Sequence, residues 1–361
     1  MVSSLPPAAD TVAPRNILFI GGTGVISAAA AEHAVALGHR LTILNRGQSS
    51  LRPVPEGAET LQADIRDAVA VREVLRGREF DAVADFISFT PEHVKTGMEL
   101  FGGRTGQYVF ISSASAYQKP PTRLPILEST PLHNPFWQYS RDKIACEDLL
   151  FTAYREEDFP VTVVRPSHTY DRTKIAMVGG WTDIHRMRAG LPVMVHGDGT
   201  SLWTLTHSRD FAKAFVGLLG RPQAVGESYT ITSDEYLPWN QIYRLFARAA
   251  GVAEPELVHI ASESIAAHSP ELGPNLLGDR SHSVIFDNSK IKSLLPGFHA
   301  SIPFADGARE IVQWHDAHPE AQVPDQEFMR LSDQLIEWVR RPGFRGTAGR
   351  GVQTVADRTD C

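Results

Sequence analysis

Tyr139 and Lys143 stand one helical turn apart in the run Tyr139-Ser140-Arg141-Asp142-Lys143. Side chains at i and i+4 share one face of a helix. A phenol with a pKa of about 10 is a poor acid or base at neutral pH. A neighbouring ammonium that stabilises the phenolate brings it toward working range. Upstream, Phe110-Ile111-Ser112-Ser113-Ala114-Ser115-Ala116-Tyr117 places several hydroxyls at the end of an apolar run. A hydroxyl, a phenol and an ammonium brought together suit proton transfer at a substrate oxygen beside a hydride carrier.

A site for such a carrier is written near the start of the chain. The apolar run 16–20 leads directly into Gly21-Gly22-Thr23-Gly24-Val25-Ile26-Ser27, and an Ala-rich helical stretch follows. Glycines at a strand-to-helix turn permit positive φ and close backbone approach to a pyrophosphate. The helix N-terminus behind them offers free N–H groups and partial positive charge. The third glycine of the usual dinucleotide spacing is Ser27, a residue small enough to keep helix and strand close. The second strand ends Ile43-Leu44-Asn45-Arg46-Gly47. An acidic residue there would bind the ribose 2′-OH of NAD. Asn45 and Arg46 stand there instead, which favours NADP over NAD. Asp64, closing the third strand, either meets the adenine amino group or caps the helix that starts near Asp67.

These residues must be positioned by elements whose order is legible. Short apolar runs at 16–20, 39–44, 59–63, 81–87, 107–112 and 160–165 read as strands buried on both faces. Helical stretches at 25–37, 67–77, 91–102 and 137–154 alternate with them. That rhythm predicts an α/β fold, a doubly wound parallel Rossmann sheet with helices on both faces. After Pro166 the rhythm breaks. Helices are expected at 206–219 and 237–250, a late strand at 228–232, and short helices and loops over 251–320. The expected organisation is a dinucleotide-binding domain of residues 15–170 plus about 205–235. A smaller mixed α/β substrate-binding lobe would take about 171–204 plus 236–340, with flexible ends at 1–14 and 343–361.

Composition narrows the class. The chain has 361 residues, 42% of them hydrophobic, and a net charge of −7, which gives no reason to expect nucleic acid as a partner. Its two cysteines, Cys146 and Cys361, read as free thiols of a reducing compartment. The opening residues lack the basic start and apolar block of a signal peptide, and no apolar run is long enough to span a bilayer. The expectation is a soluble cytoplasmic protein with no membrane partner. The 14 histidines show no zincin or finger spacing, so no metal is expected.

Together GGTG after the first strand, SSASAY after the fifth, YSRDK on the next helix and Arg165-Pro166 after the sixth resemble the extended short-chain dehydrogenase/reductases, the NAD-dependent epimerase/dehydratase group. The resemblance covers about residues 15–240. It implies Tyr139 as acid/base, Lys143 as its activator, and Ser113 as the hydroxyl that orients the substrate oxygen, with Ser112 as the alternative. The candidate cofactor-contacting set is Gly21, Gly22, Thr23, Gly24, Val25, Ile26, Asn45, Arg46, Asp64, Ile65, Phe86, Ile87, Tyr139, Lys143 and Pro166. The resemblance also implies a homodimer through the helices after the fourth and fifth strands.

The chain departs from the group's pattern in two places. The Gly197-Asp198-Gly199 turn is present, but Trp203 stands where sugar-nucleotide enzymes carry a diphosphate-clamping Arg. An indole stacks on rings and does not clamp phosphate as Arg does; Arg186, Arg188 or Arg209 are candidates to replace it. The fourth strand ends Asp85-Phe86-Ile87-Ser88 rather than in the group's His-Leu-Ala-Ala type. Both features are similar to a divergent branch that includes the chloroplast stem-loop-binding proteins. Ser115, His168, Trp181 and Trp203 are the candidate substrate contacts, in a lid region that also holds Tyr170, His185, His196 and His207. The expected activity is NAD(P)-dependent hydride transfer on a hydroxyl or carbonyl of a small-molecule substrate, a sugar, sugar nucleotide or sugar-like molecule. The outcome is either net reduction or epimerisation or dehydration through a transient ketone. The alternative is a dinucleotide-sensing or RNA-binding protein with a vestigial site.

Overall fold

A computed structural model describes residues 13–48 and 51–341. The tail 343–361, Cys361 and most of the N-terminal stretch expected to be flexible lie outside the described residues.

Six strands, β1 (Asn16–Ile20), β2 (Arg40–Asn45), β3 (Glu59–Gln62), β4 (Ala82–Asp85), β5 (Tyr108–Ile111) and β6 (Val161–Pro166), join the strand Ser228–Ile231 in one sheet. The spatial order is Ser228–Ile231, β6, β5, β4, β1, β2, β3, and every pairing is parallel. This is a Rossmann sheet. The chain reverses its direction of travel between β3 and β4, so β1 and β4 part at their carboxyl ends and open a crevice, the place where such sheets bind ligands.

Alternation along β1 explains why both faces are covered. Ile17 and Phe19 pack into one apolar cluster, Leu18 and Ile20 into another. Helix α1 (Val25–Ala36) lies on the first face through Ala28, Ala30, Ala31 and Ala34. These side chains are small, so the helix also lies close against the helix Ser208–Leu218. Helices α2 (Ala68–Val74), α3 (Pro91–Phe101) and α4 (Gln138–Glu157) complete the layers.

The lobe has more order than its composition implies. Trp181–Arg188 is helical, and Val193–His196 pairs in parallel with Leu257–Ile260. The segment read as short helices and loops contains a full helix, Phe304–Ala317. Gly307 sits within that helix and hides it from propensity. The glycine is needed there because a Cβ would run into the Tyr170 ring.

Candidate active site

The turn after β1 holds Gly21 at φ 109° and Gly22 at φ 98°, conformations that side-chain-bearing residues rarely adopt. A Cβ on Gly22 would come to 2.6 Å from Ile43 Cγ2, so the turn lies hard against β2. Ser27 does more than fill the third-glycine position: its Oγ accepts the Gly24 N–H at 2.8 Å and closes the helix N-terminus.

A cleft of about 600 Å³ opens in front of this turn, lined by Gly21, Thr23, Asn45, Arg46, Asp64, Ile65, Arg66, Ile87 and Phe89 among others. Gly22, Gly24 and Val25, expected to touch the cofactor, shape the turn and do not line the cleft; Val25 faces a separate small cavity beside Glu32 and Arg52. Asn45 Oδ1 accepts the Gly47 N–H at 2.9 Å and fixes the bend after β2. The exposed Arg46 guanidinium has no hydrogen bond or ion pair among the described residues. Asp64 Oδ1 accepts the Arg66 N–H at 3.0 Å, while Asp67 itself caps α2 through the amides of Val69 and Ala70. Asp64 is therefore not the helix cap, and its carboxylate stays at the cleft.

A second cavity of about 370 Å³ continues past Phe89, which lines both spaces. Ile26, Phe86, Ser113, Ser115, Tyr139, Lys143, Pro166 and His168 face it. The strand ends and α4 thus bring the hydroxyl, phenol and ammonium together, although they come from distant parts of the chain. The Tyr139 ring packs on Trp137, centroids 4.8 Å apart, and on Phe89 at 6.4 Å.

Lys143 is held differently from the simple pairing expected. Its Nζ donates to the carbonyls of Ser88 at 2.6 Å and Ile111 at 2.7 Å, and lies over the Phe89 and Phe110 rings at 4.7 Å each. Burial pulls its pKa down to about 8, partly opposed by Asp85, Cys146 and Glu147. Tyr139 is raised, chiefly by burial; the Ser113 hydroxyl pulls the other way and Asp279 adds to the rise. The ammonium is committed to the two carbonyls rather than to the phenol.

The unusual end of β4 explains that arrangement. Asp85 accepts from the amides of Ile87 and Ser88, each at 2.9 Å, and from the hydroxyls of Ser88 and Tyr108, each at 2.6 Å. The buried carboxylate folds residues 85–88 into a tight turn that presents the Ser88 carbonyl to Lys143.

Several expectations are corrected. Ser112, the alternative hydroxyl, donates to Glu147, which is locked in a buried ion pair with Arg165. Trp181 does not reach the cavity; it stacks on His315 at 5.0 Å in the lobe core. Trp203 is also buried behind the wall, 5.2 Å from Trp239 and edge-on to His168. Both indoles fill core that their polar tips had suggested was pocket. Arg186, Arg188 and Arg209 pair with Asp333, Asp316 and Glu310, and none lines the cavity. Tyr170 packs against His207 and Phe304, and His185 is exposed.

Residues not anticipated complete the wall. The lobe contributes Lys174, Asn275, Asp279 and Arg280. Arg280 donates to Asn275 Oδ1 and to the Ala176 carbonyl, each at 2.7 Å, with no carboxylate partner. The Lys174 ammonium has no hydrogen bond or ion pair among the described residues, and burial and the Arg280 charge both lower its pKa. His168 is held well below its ordinary pKa, first by burial and then by Arg280 and Lys174, and its Nε2 is buried without a partner. No group of residues suited to a metal occurs among the described residues.

Comparison with known proteins agrees with this geometry. The family model described as NAD dependent epimerase/dehydratase family matches residues 98–232, the stretch from α3 through the Ser and Tyr/Lys segments to the last sheet strand. Over that stretch the chain is similar to the NAD-dependent epimerase/dehydratase family. Among its relatives is the chloroplast stem-loop binding protein of 41 kDa b from Arabidopsis thaliana, 29% identical over 68% of this chain and just under two thirds, 66%, of that protein. Another is 2′-dehydrokanamycin reductase from Streptomyces kanamyceticus, 26% identical over 68% of each chain. The solved structure of epimerase Mth375 from Methanothermobacter thermautotrophicus shares the fold, with a TM-score of 0.70 over 86% of this chain and 94% of that one at 16% identity.

Proposed function

We propose that this protein is an NAD(P)-dependent oxidoreductase of the NAD-dependent epimerase/dehydratase family, acting on a hydroxyl or carbonyl of a sugar-like substrate that carries an anionic group. The observation that carries the reading is the meeting of Ser113, Tyr139 and Lys143 in one cavity continuous with the cleft at the glycine turn.

The residues present fit a nicotinamide dinucleotide. The positive-φ glycine turn admits no side chain at Gly22, and the cleft runs from Asp64 and Arg46 to Phe89. Gly21, Thr23, Asn45, Arg46, Asp64 and Ile65 would hold the dinucleotide, which when bound supplies or accepts the hydride. Tyr139 gives a proton to the substrate oxygen in reduction and takes it back in oxidation. Lys143 fixes the floor of the cavity through the Ser88 and Ile111 carbonyls.

Two features bear on the substrate. Lys174 and Arg280 bring positive charge to the cavity without carboxylate partners, which supports a substrate with a carboxylate or phosphate. Among the residues lining the cavity the sole carboxylate is Asp279, and it is engaged by the buried Lys119 Nζ at 3.1 Å. The outcome is either net reduction, or epimerisation or dehydration through a transient ketone. Assay with a polyhydroxylated carbonyl substrate separates these two: reduction consumes added NADPH in stoichiometric amount, whereas epimerisation or dehydration leaves it unchanged over many turnovers. Binding of neither NADH nor NADPH would overturn the reading.

Arg46 supports NADP over NAD. Arg46→Ala is expected to weaken NADPH binding about ten- to hundredfold, the worth of a charge-assisted hydrogen bond, and NADH binding less than twofold. Fluorescence titration of both cofactors checks this; equal losses would remove the preference.

A second reading follows from the stem-loop binding named for one relative. The net charge of −7 and the placement of Lys174 and Arg280 inside a cavity speak against it. Stem-loop RNA retention that falls steeply with added salt would favour it.

A further inference from the structure

Ser113 and Ser115 in the cavity wall and Ser140 behind it form a hydrogen-bonded line toward the phenol. Ser140 is fully buried and does not line the cavity. Its hydroxyl donates to Ser115 Oγ at 2.8 Å. Ser115 Oγ lies 2.9 Å from Ser113 Oγ, and the Ser115 N–H also donates to Ser113 Oγ at 3.1 Å. Ser113 and Tyr139 line the same cavity, and the Ser113 hydroxyl pulls the Tyr139 pKa down against the effect of burial.

A hydroxyl carries one proton and two acceptor sites. Ser115 Oγ receives the Ser140 proton, and either hydroxyl can donate across the contact between Ser115 and Ser113. When Ser115 donates, Ser113 Oγ accepts from both the Ser115 O–H and the Ser115 N–H, and its single proton is free for the Tyr139 oxygen. The middle of the line is held by Asn134, whose Nδ2 donates to the Ser115 carbonyl at 2.9 Å and to the Gly278 carbonyl at 2.7 Å.

We propose that Ser140 and Ser115 are positioning residues that aim the Ser113 hydroxyl proton at the Tyr139 oxygen, so that Ser113 serves the phenolate rather than holding the substrate directly. The proposal rests on the reading of Tyr139 as the acid/base. In reduction the Tyr139 O–H bond breaks and a substrate O–H bond forms. The phenolate left behind accepts a hydrogen bond from Ser113, which keeps its own proton. The Tyr139 proton is free to point at the substrate because the phenol's acceptor side is already occupied.

The test is carbon-13 NMR of the full chain labelled at tyrosine Cζ, with the Tyr139 resonance assigned by its loss in Tyr139→Phe. In Ser140→Ala the Tyr139 ionisation is expected to move up by about half to one pH unit, the worth of one hydrogen bond. The phenolate fraction at pH values below that ionisation then falls about three- to tenfold. Ser115→Ala, which cuts the same line nearer the phenol, is expected to shift it at least as far. The double variant should titrate with Ser115→Ala alone, since the two changes are not independent. In Ser140→Ala, which lies outside the cavity, the pH profile of kcat should move by the same amount with KM unchanged. An unchanged Tyr139 resonance in folded Ser140→Ala, or additive shifts in the double variant, would overturn the proposal. If Ser140→Ala does not fold, Ser115→Ala read at the same resonance decides it. The NMR readout needs no turnover, so full activity in Tyr139→Phe would sink the proposed function while leaving the measured shifts standing.

Discussion

Tyr139→Phe is expected to lose about 10³-fold in turnover, within the range of roughly 10²–10⁴ for a positioned acid/base, while binding dinucleotide as tightly as the parent chain. The substitution removes one oxygen and leaves the ring, which is fixed by Trp137 at 4.8 Å and Phe89 at 6.4 Å. The cleft residues around Asn45, Arg46 and Asp64 are untouched. A drop in kcat at constant cofactor affinity separates loss of proton transfer from loss of binding. Steady-state rates and fluorescence titration on the same preparation give both numbers. Activity within a few-fold of the parent would remove Tyr139 from its role.

The second large effect is at Lys143, and here stability and activity both change. The ammonium satisfies the carbonyls of Ser88 and Ile111 in a site that leaves Lys143 1% exposed. Lys143→Met fills the space with apolar atoms but strands two buried acceptors, at about 1–3 kcal/mol each. The charge it removes was itself costly. Burial lowers the native pKa from 10.5 to about 8. Between those values the unfolded chain binds more protons than the native one, so stability of the parent rises with pH across that window. Below about 8 the full cost of the buried charge is present. The variant should lose that rise, and unfolding midpoints measured on both sides of the window should differ less than in the parent. Turnover is expected to fall about 10²-fold or more, and in the parent to decline as pH passes 8, where the ammonium is lost. A pH profile for the parent that stays flat through this region would contradict the assignment.

Much of the frame is legible in the residues. Short apolar runs such as Asn16–Ile20 have no polar alternation because both faces of the sheet are covered, and that alone orders the strands. The glycine turn is legible because only glycine meets its φ values and the contact with Ile43. The Tyr139 and Lys143 spacing is a property of one helix. The lobe side of the cavity was not legible. Lys174 comes from a loop and Arg280 from the end of a single π-helical turn, Leu276–Arg280, neither with a readable period, and only tertiary folding turns them toward the cavity. Trp181 and Trp203 misled because an indole has the same composition signal whether it walls a pocket or fills a core. Asp85 replaces a residue type usual in the family, and its meaning emerged only with its hydrogen bonds to Ile87, Ser88 and Tyr108.

The most direct measurement is a crystal structure of the full chain with an oxidised or reduced nicotinamide dinucleotide. The expected result is the adenosine end between Arg46 and Asp64, the pyrophosphate at the Gly21–Thr23 turn, and the nicotinamide in the cavity of Ser113, Tyr139 and Lys143. A dinucleotide seated elsewhere, or a nicotinamide out of reach of the Tyr139 oxygen, would contradict it.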